Sequence, residues 1–310
     1  MRWEKCRCFI GMERLGNVMD TSILAGIVFG IIASSTLNLG KAMQKQGIEM
    51  FDRSKPGRAK KSSIWVAGAT LSFIQPVFQI TSQTVLGASA TVFTAMMGTG
   101  ILVLLAYSWK VIGEPANRFE IVGSLLIIAG TLVFGVTSLF LPANERPAPD
   151  IGTLAIVLAI TGILFGTLLS VTIKTKRSWG LSWGLVGGSM LGIDIIFKSL
   201  ASETGGIDLG MASGFTSPFF YLSIPFGFCA FAFTQIGYTR AKAITVVPTF
   251  TAFYMLLPLV VESLVYVTWP AAGQVVGVST CIAGVVLSTR FKTGMIPVTP
   301  VVPGLGGSDG

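Results

Sequence analysis

The sequence predicts an all-α polytopic membrane protein, with about nine transmembrane helices arranged as an inverted-topology repeat. Three observations predict this fold class. Hydrophobic residues make up 52% of the 310 residues and charged residues only 12%. Apolar runs of membrane-spanning length follow one another, and short sequence blocks recur in the same order about halfway along the chain. The apolar runs leave no room for a separate soluble domain.

Nine apolar runs have the length of a membrane helix, which needs about 20 mostly apolar residues. Polar breaks such as Gly113-Glu114-Pro115 and Trp269-Pro270 end these runs. The run after the basic N-terminal segment is too long for a signal peptide, so we expect a retained first helix. The predicted spans are 21–44, 63–83, 88–109, 119–140, 151–174, 182–201, 218–238, 243–268 and 270–290.

Blocks of the first half recur in the second half at a nearly constant offset. Ordered matches of this kind indicate an internal duplication, which is the usual build of a secondary transporter. The matched blocks are Gln79-Ile80 with Gln235-Ile236 (156 residues apart), Phe93-Thr94-Ala95 with Phe250-Thr251-Ala252 (157), Val122-Gly123 with Val276-Gly277 (154) and Ile128-Ala129-Gly130 with Ile282-Ala283-Gly284 (154).

The duplication and the spans together predict the organisation of the chain. Spans one to four correspond to spans six to nine, so five helices separate equivalent elements and the second copy crosses the membrane in the opposite direction. The predicted regions are an N-terminal segment (1–20), a first transmembrane repeat (21–140), a connector with the fifth span (141–181), a second transmembrane repeat (182–292) and a disordered tail (293–310).

Positive charges predict the orientation in the membrane. Of the 22 Lys and Arg residues, sixteen fall on the face that holds the loop after the first span. By the positive-inside rule this face is cytoplasmic. We therefore expect the N-terminus outside, the C-terminus in the cytoplasm, and the plasma membrane as the location.

Motifs of the first repeat resemble a known superfamily. A tight helical hairpin is followed by Gly113-Glu114-Pro115 and by a span that contains Gly123 and Ile128-Ala129-Gly130. This pattern resembles the drug/metabolite transporter (DMT) superfamily. The second copy keeps the glycine and the Ile-Ala-Gly motif but has Thr268-Trp269-Pro270 where Gly-Glu-Pro is expected. The resemblance implies transport by alternating access.

Within that superfamily, the chain is similar to the NIPA-type magnesium transporter branch. The similarity lies in the nine spans, the outside N-terminus, and the lysines Lys41 and Lys198 near the ends of spans one and six. It implies that magnesium is the substrate.

Glutamines inside the apolar spans are candidate substrate-binding residues, because polar groups in a membrane span are costly. Gln79 and Gln83 follow Gln75 at every fourth residue, which stacks them on one helical face. Gln235 is the repeat partner of Gln79. These amides either line a polar pathway or join neighbouring helices by hydrogen bonds.

Neutral oxygens and two acids complete the candidate site. Asn38 of span one and Thr251 of span eight, close to the helix-bending Pro248, are placed to line a cavity. Asp194 and Glu262 lie at similar depth near the outer ends of spans six and eight. In one interpretation they form an anionic vestibule for a cation. In the other, Asp194 forms an ion pair with the lysine four residues later, and Glu262 lies at the membrane interface.

The candidate functions are ranked by this residue inventory. The chain has no histidine and no acid pair, nucleophile elbow or phosphate loop, so we expect no enzyme, no cofactor and no protein-bound metal site. A secondary transporter, with magnesium as the suspected substrate, is favoured. Transport of a small organic metabolite or drug is the alternative, and a non-transporting membrane scaffold is the second. The expected partners are the substrate and the lipid bilayer, without nucleic acid; a homodimer is left open.

Overall fold

The computed structural model describes residues 21–51, 58–81, 93, 96–114, 117–139, 148–204, 216–267 and 269–290. Within these ranges every regular element is a helix, which confirms the all-α prediction. The predicted N-terminal segment 1–20 and the predicted tail 293–310 lie outside the described residues.

The described part of the chain contains nine α-helices. Met96–Gly98 forms a 3₁₀ turn before the third helix, which continues as a π-helical turn at Ser108–Ile112. Gly113 ends it with a φ of +74°, a left-handed conformation that glycine adopts without strain. The helices are α1 (Thr21–Gly47), α2 (Arg58–Ile80), α3 (Ile101–Tyr107), α4 (Arg118–Leu139), α5 (Ile151–Thr175), α6 (Trp179–Thr204), α7 (Pro218–Tyr238), α8 (Ala243–Val265) and α9 (Ala272–Arg290).

Seven of these helices, α1 and α4 to α9, are long and apolar enough to cross a membrane. The chain is therefore a multi-pass membrane protein. Of the other two, α2 has 23 residues but begins with a cluster of basic side chains, and the apolar stretch Met96–Ile112 around α3 is short. Nine crossings remain a prediction.

Capping side chains explain where two helices begin. Asp150 precedes α5, and its Oδ1 accepts hydrogen bonds from the backbone N–H groups of Gly152 and Thr153 at 2.9 and 3.2 Å. Together with a bond from the Thr153 hydroxyl, which has the largest effect, they hold the pKa of Asp150 below its usual range. Ser217 caps α7, where Pro218 occupies the first helical position and no N–H is needed.

Burial differs strongly among the helices. Buried side chains are densest on α6 and α8, which pack against each other, whereas α5 exposes apolar side chains such as Ile156, Ile163 and Leu164. Lipid tails are as apolar as these side chains, so their exposure to a bilayer costs little. A shared apolar cluster, with Leu37 of α1 and Phe250 of α8 among its members, joins the first half of the chain to the second.

Helices α4 and α9 pack antiparallel with their backbones almost in contact. A Cβ atom built on Gly130 would lie 2.5 Å from the carbonyl oxygen of Gly277, and one built on Gly284 would lie 2.5 Å from the carbonyl oxygen of Gly123. Small residues allow backbones to approach this closely in membrane proteins. We call this contact the glycine seam.

The seam predicts a large effect for a single methyl group. Gly130→Ala places its Cβ against the Gly277 carbonyl and Cys281, so the two helices must separate. We expect a loss of about 1–3 kcal/mol in the free energy of unfolding, which is the usual cost of overpacking. Thermal unfolding of the purified protein in detergent measures this loss as a lower Tm.

Gly166→Ala on the exposed helix α5 is the matched control. A Cβ atom at Gly166 meets nothing within 4 Å, and alanine is the better helix former by roughly 0.5–1 kcal/mol. Its Tm should be equal to the parent's or slightly higher. Equal Tm values for the Gly130→Ala and Gly166→Ala variants would contradict the tight seam.

Candidate functional site

A stripe of polar side chains runs along one buried face of α1. Ser34, Asn38, Lys41 and Lys45 are spaced by four, three and four residues, which keeps them on one face of a helix. The first three are no more than 6% exposed. Ser34 contacts Met97 and Gly100 just before α3. Lys41 contacts Phe250 of α8 and Lys45 contacts Tyr238 of α7, so this end of the polar stripe faces the second half of the chain.

Lys41 brings a positive charge into this stripe. Its Nζ lies 3.2 Å from the centroid of the Phe250 ring on α8. Among the described residues, no carboxylate lies within ion-pair distance of the Lys41 ammonium. A desolvated cation–π contact stabilises an ammonium by about 2 kcal/mol, whereas removing an ion from water costs several kcal/mol. The ring therefore offsets only part of the cost.

Asn38 contributes an acceptor that has no donor. Its Nδ2 donates to the carbonyl of Ser34 at 2.9 Å, but no hydrogen-bond donor among the described residues reaches its buried Oδ1. Ser34 is occupied, because its Oγ donates to the Met97 carbonyl at 2.6 Å and accepts from the Gly100 N–H at 2.9 Å. Leaving a buried acceptor unpaired costs about 1–3 kcal/mol. The stripe thus presents one cation and one unused acceptor.

The position of Lys41 differs from the one expected. From the sequence it lies near the end of span one, where its charge counts toward the cytoplasmic face. The helix α1 instead continues to Gly47, which places Lys41 about 9 Å inside the helix end at 1.5 Å per residue. The sequence carried one indication that Lys41 lies inside the helix: it falls on the same helical face as Ser34 and Asn38.

Polar contacts between the two halves close the bundle beyond Lys41. Gln235 Nε2 donates to Gln44 Oε1, and Gln235 Oε1 accepts from Trp65 Nε1 at 3.0 Å. Lys45 Nζ donates to the Tyr238 carbonyl at 2.7 Å. We call these contacts the closing layer. For Gln235 they match the interhelical hydrogen bonding that the sequence left open as one interpretation.

Glu114 adds a buried carboxylate at the same end of the bundle. Its Oε2 accepts from the backbone N–H of Ala243 at 3.1 Å, in the first turn of α8, where a helix favours negative charge. Burial raises the pKa of Glu114; the charge of Lys45, the hydrogen bond from Ala243 and the charge of Lys242 act in the opposite direction. This contact joins the break after α3 to the start of α8.

The other predicted site residues of the second half do not extend the polar stripe. Thr251 Oγ1 donates to the Val247 carbonyl at 3.0 Å, and Asp194 accepts from Lys198 at 2.7 Å. Glu262 is half-buried on α8. In the part of the chain that the structure describes, no group of three or more Cys, Asp or Glu side chains is placed to hold a metal ion.

Most of the predicted glutamine face of span two lies outside the residues that the structure describes. Gln79 belongs to α2, but its side chain is outside the described residues, and Gln83 is outside them entirely. Gln75 is half-buried and has a partner. The role of this face in a pathway therefore stays a prediction.

No protein-family model, curated protein or solved structure matches this chain. Its function is therefore inferred from the arrangement of its own residues. That arrangement consists of a buried ammonium, an amide oxygen without a donor, and a closing layer at the end that carries most of the Lys and Arg residues.

The raised pKa of Glu114 predicts how stability depends on pH. Because the folded state holds the proton more tightly than the unfolded chain, stability falls as pH rises from the ordinary carboxyl range through the raised pKa. Glu114→Gln cannot ionise and should lose this dependence. At pH 7 we expect its Tm to be higher than the parent's, because glutamine has no charge to bury and its amide oxygen can still accept from the Ala243 N–H.

Asp150→Asn is the control with the opposite sign. The depressed pKa of Asp150 stabilises the fold above the ordinary carboxyl range, and this contribution is lost as pH falls. Asparagine keeps the helix cap, so this variant should retain the fall in stability at rising pH. A pH profile of Tm that is unchanged in Glu114→Gln would refute the assignment to Glu114.

Proposed function

We propose that this protein is a secondary transporter that moves a small solute across the membrane by alternating access. The observation that carries the proposal is the pattern of contacts in the glycine seam. A shift of 154 residues, the offset of the duplicated blocks, turns Gly123 into Gly277 and Gly130 into Gly284. When each residue of the Gly123–Gly284 contact is replaced by its counterpart in the other repeat, the result is the Gly130–Gly277 contact. Both contacts are present.

Ile127 and Cys281 lie at the centre of the seam. They are also 154 residues apart, and Cys281 Sγ donates to the Ile127 carbonyl at 3.5 Å, so each residue meets its own counterpart. Contacts that are exchanged in this way are characteristic of a two-fold axis. An axis between two antiparallel membrane helices supports the inverted-topology repeat from which many secondary transporters are built.

The proposed topology has nine crossings, with α2 and α3 as the two that composition alone does not identify. Met97 and Gly100 contact Ser34, while Tyr107 OH donates to Gln46 Oε1 at 2.6 Å. The short helix α3 therefore runs parallel to α1, as alternating crossings require. The resemblance to the DMT superfamily implies the same build, with the N-terminus outside and the C-terminus in the cytoplasm at the plasma membrane.

The pathway is proposed to lie where α1 and α2 face α6, α7 and α8. The polar stripe of α1 lines it, and the closing layer blocks it on the cytoplasmic side. Alternating access requires the closing layer to break, because it bridges the two halves through side chains. The glycine seam, where backbones meet, is the proposed pivot.

A small organic solute is the substrate class that these residues support best. The charge buried on the stripe is the ammonium of Lys41, which repels a metal cation, and Asp194 is already paired with Lys198. Magnesium is the second candidate, because the NIPA-type resemblance implies it and because Asp194 and Glu262 supply carboxylates on the outer side. A membrane scaffold has no need of an ammonium at this depth.

Locking the closing layer tests alternating access. In a background without the four native cysteines, we expect oxidation of a Gln44→Cys, Gln235→Cys double variant to abolish solute uptake into proteoliposomes, and reduction to restore it. Uptake is measured with labelled L-malate, L-glutamate and glycerol 3-phosphate, and Mg²⁺ entry with an internal dye.

A Ser138→Cys, Gln274→Cys variant is the matched control. Gln274 Nε2 donates to Ser138 Oγ at 2.9 Å across α4 and α9, an interface proposed to stay closed, so its oxidation should leave uptake unchanged. The proposal fails if no probe enters above empty liposomes, or if locking Gln44 to Gln235 leaves uptake intact. Entry of Mg²⁺ that is lost in Asp194→Asn or Glu262→Gln favours magnesium over organic solutes.

A further inference from the structure

Each predicted repeat carries a lysine in its first span, but the two lysines differ in their partners. In the second repeat, Lys198 forms an ion pair at 2.7 Å with Asp194, four residues before it. In the first repeat, α1 contains no Asp or Glu, and the polar residue one turn before Lys41 is Asn38. Lys41 therefore has no counter-ion from its own helix.

The other helices around Lys41 supply no replacement among the described residues. Its Nζ faces the Phe250 ring, which is itself stacked on Tyr254 with the ring centroids 6.5 Å apart. The buried acids of the described residues have other partners: Glu114 accepts from the Ala243 N–H, Glu120 lies near Lys242 and Asp194 pairs with Lys198. An ammonium has three N–H donors, and an aromatic face engages only one side of it. The remaining donors are directed away from the ring.

Asn38 provides the complementary group. Its Oδ1 is buried and meets no donor among the described residues, and residues three apart on a helix have Cβ atoms about 5–6 Å apart. A cation and an unused acceptor at this spacing match a molecule that carries a negative charge next to a hydroxyl or amine. The stripe lacks the second anionic or carbonyl group that a metal ion would need.

We infer that Lys41 and Asn38 bind a small organic anion, a carboxylate or phosphate, that carries a hydroxyl or amine beside its charge. The inference rests on the proposed function, because it names the solute that the transporter carries. Lys41 donates to the anionic oxygens and supplies the positive charge, Asn38 Oδ1 accepts from the hydroxyl or amine, and Phe250 covers the carbon skeleton. The substrate thus provides the counter-ion that Asp194 provides in the second repeat.

Binding is tested on the full chain in detergent, by thermal unfolding in the presence of named probes. We expect L-malate, L-glutamate and glycerol 3-phosphate to raise Tm with increasing concentration, while uncharged glycerol and cationic choline do not. Lys41→Met should weaken anion binding at least tenfold, and Lys41→Arg should retain part of it. Asn38→Ala should abolish the preference for L-malate over succinate, which lacks only the hydroxyl.

Two controls separate binding from a packing role. Lys174→Met removes an exposed positive charge at the end of α5 and should leave anion binding unchanged. Without any probe, Lys41→Met should unfold at a higher temperature than the parent, because an uncompensated buried charge is removed. A lysine that serves only to pack on Phe250 would instead lower Tm when replaced.

The outcomes distinguish this inference from the transport proposal. Equal anion binding by the parent and Lys41→Met, or binding of none of the three anions by the parent, overturns it. Uptake of Mg²⁺ or of an uncharged solute that survives Lys41→Met overturns it and leaves transport intact. Anion binding that is lost in Lys41→Met, without uptake of any probe, supports the site and removes the transport proposal.

Discussion

Backbone contact along the glycine seam holds the two halves of this chain together. A side chain at Gly123, Gly130, Gly277 or Gly284 would push the helices apart, since each carbonyl oxygen lies where a Cβ would stand. In a bilayer no hydrophobic effect drives helices together, so such close packing supplies much of the attraction. The seam also leaves little freedom to slide. Movement between the halves is therefore expected on its far side, where side chains of α1 and α2 bridge the distance to α6, α7 and α8.

Lys41 differs from the other buried charges in its partners. Asp194 pairs with Lys198, and one oxygen of Glu114 accepts from the Ala243 N–H while the other has no donor among the described residues. Gln235 is bonded to two other helices. Lys41 differs, because a phenyl ring is a weak partner for an ammonium removed from water. Proteins depart from local rules of this kind mainly at functional sites, which is why the site is assigned to the polar stripe rather than to the acids or the closing layer.

Much of the helical framework was predictable because it depends on local sequence. The apolar run at 218–238 became α7 with the same bounds, since Ser217 and Pro218 start a helix wherever they precede such a run. Span one was predicted three residues too short, because Lys45 and Gln46 are polar, although both are half-buried in the last turn of α1. The contacts of Thr251 and Gln235 were harder to predict from the sequence. A threonine can bond to its own helix and a glutamine to a neighbouring one, and no local pattern distinguishes these from pathway contacts.

Composition and periodicity alone establish a helical membrane protein, the breaks between its apolar runs, and the recurrence of sequence blocks, because each of these is a property of residues close together in the chain. They also place Ser34, Asn38 and Lys41 on one face of α1. Whether a charge on such a face has a partner depends on what distant helices bring to it. Lys198 found Asp194 one turn away, whereas Lys41 met Phe250, about two hundred residues along the chain. That difference arises only when the helices pack, and it distinguishes the Asp194–Lys198 ion pair from the site proposed at Lys41.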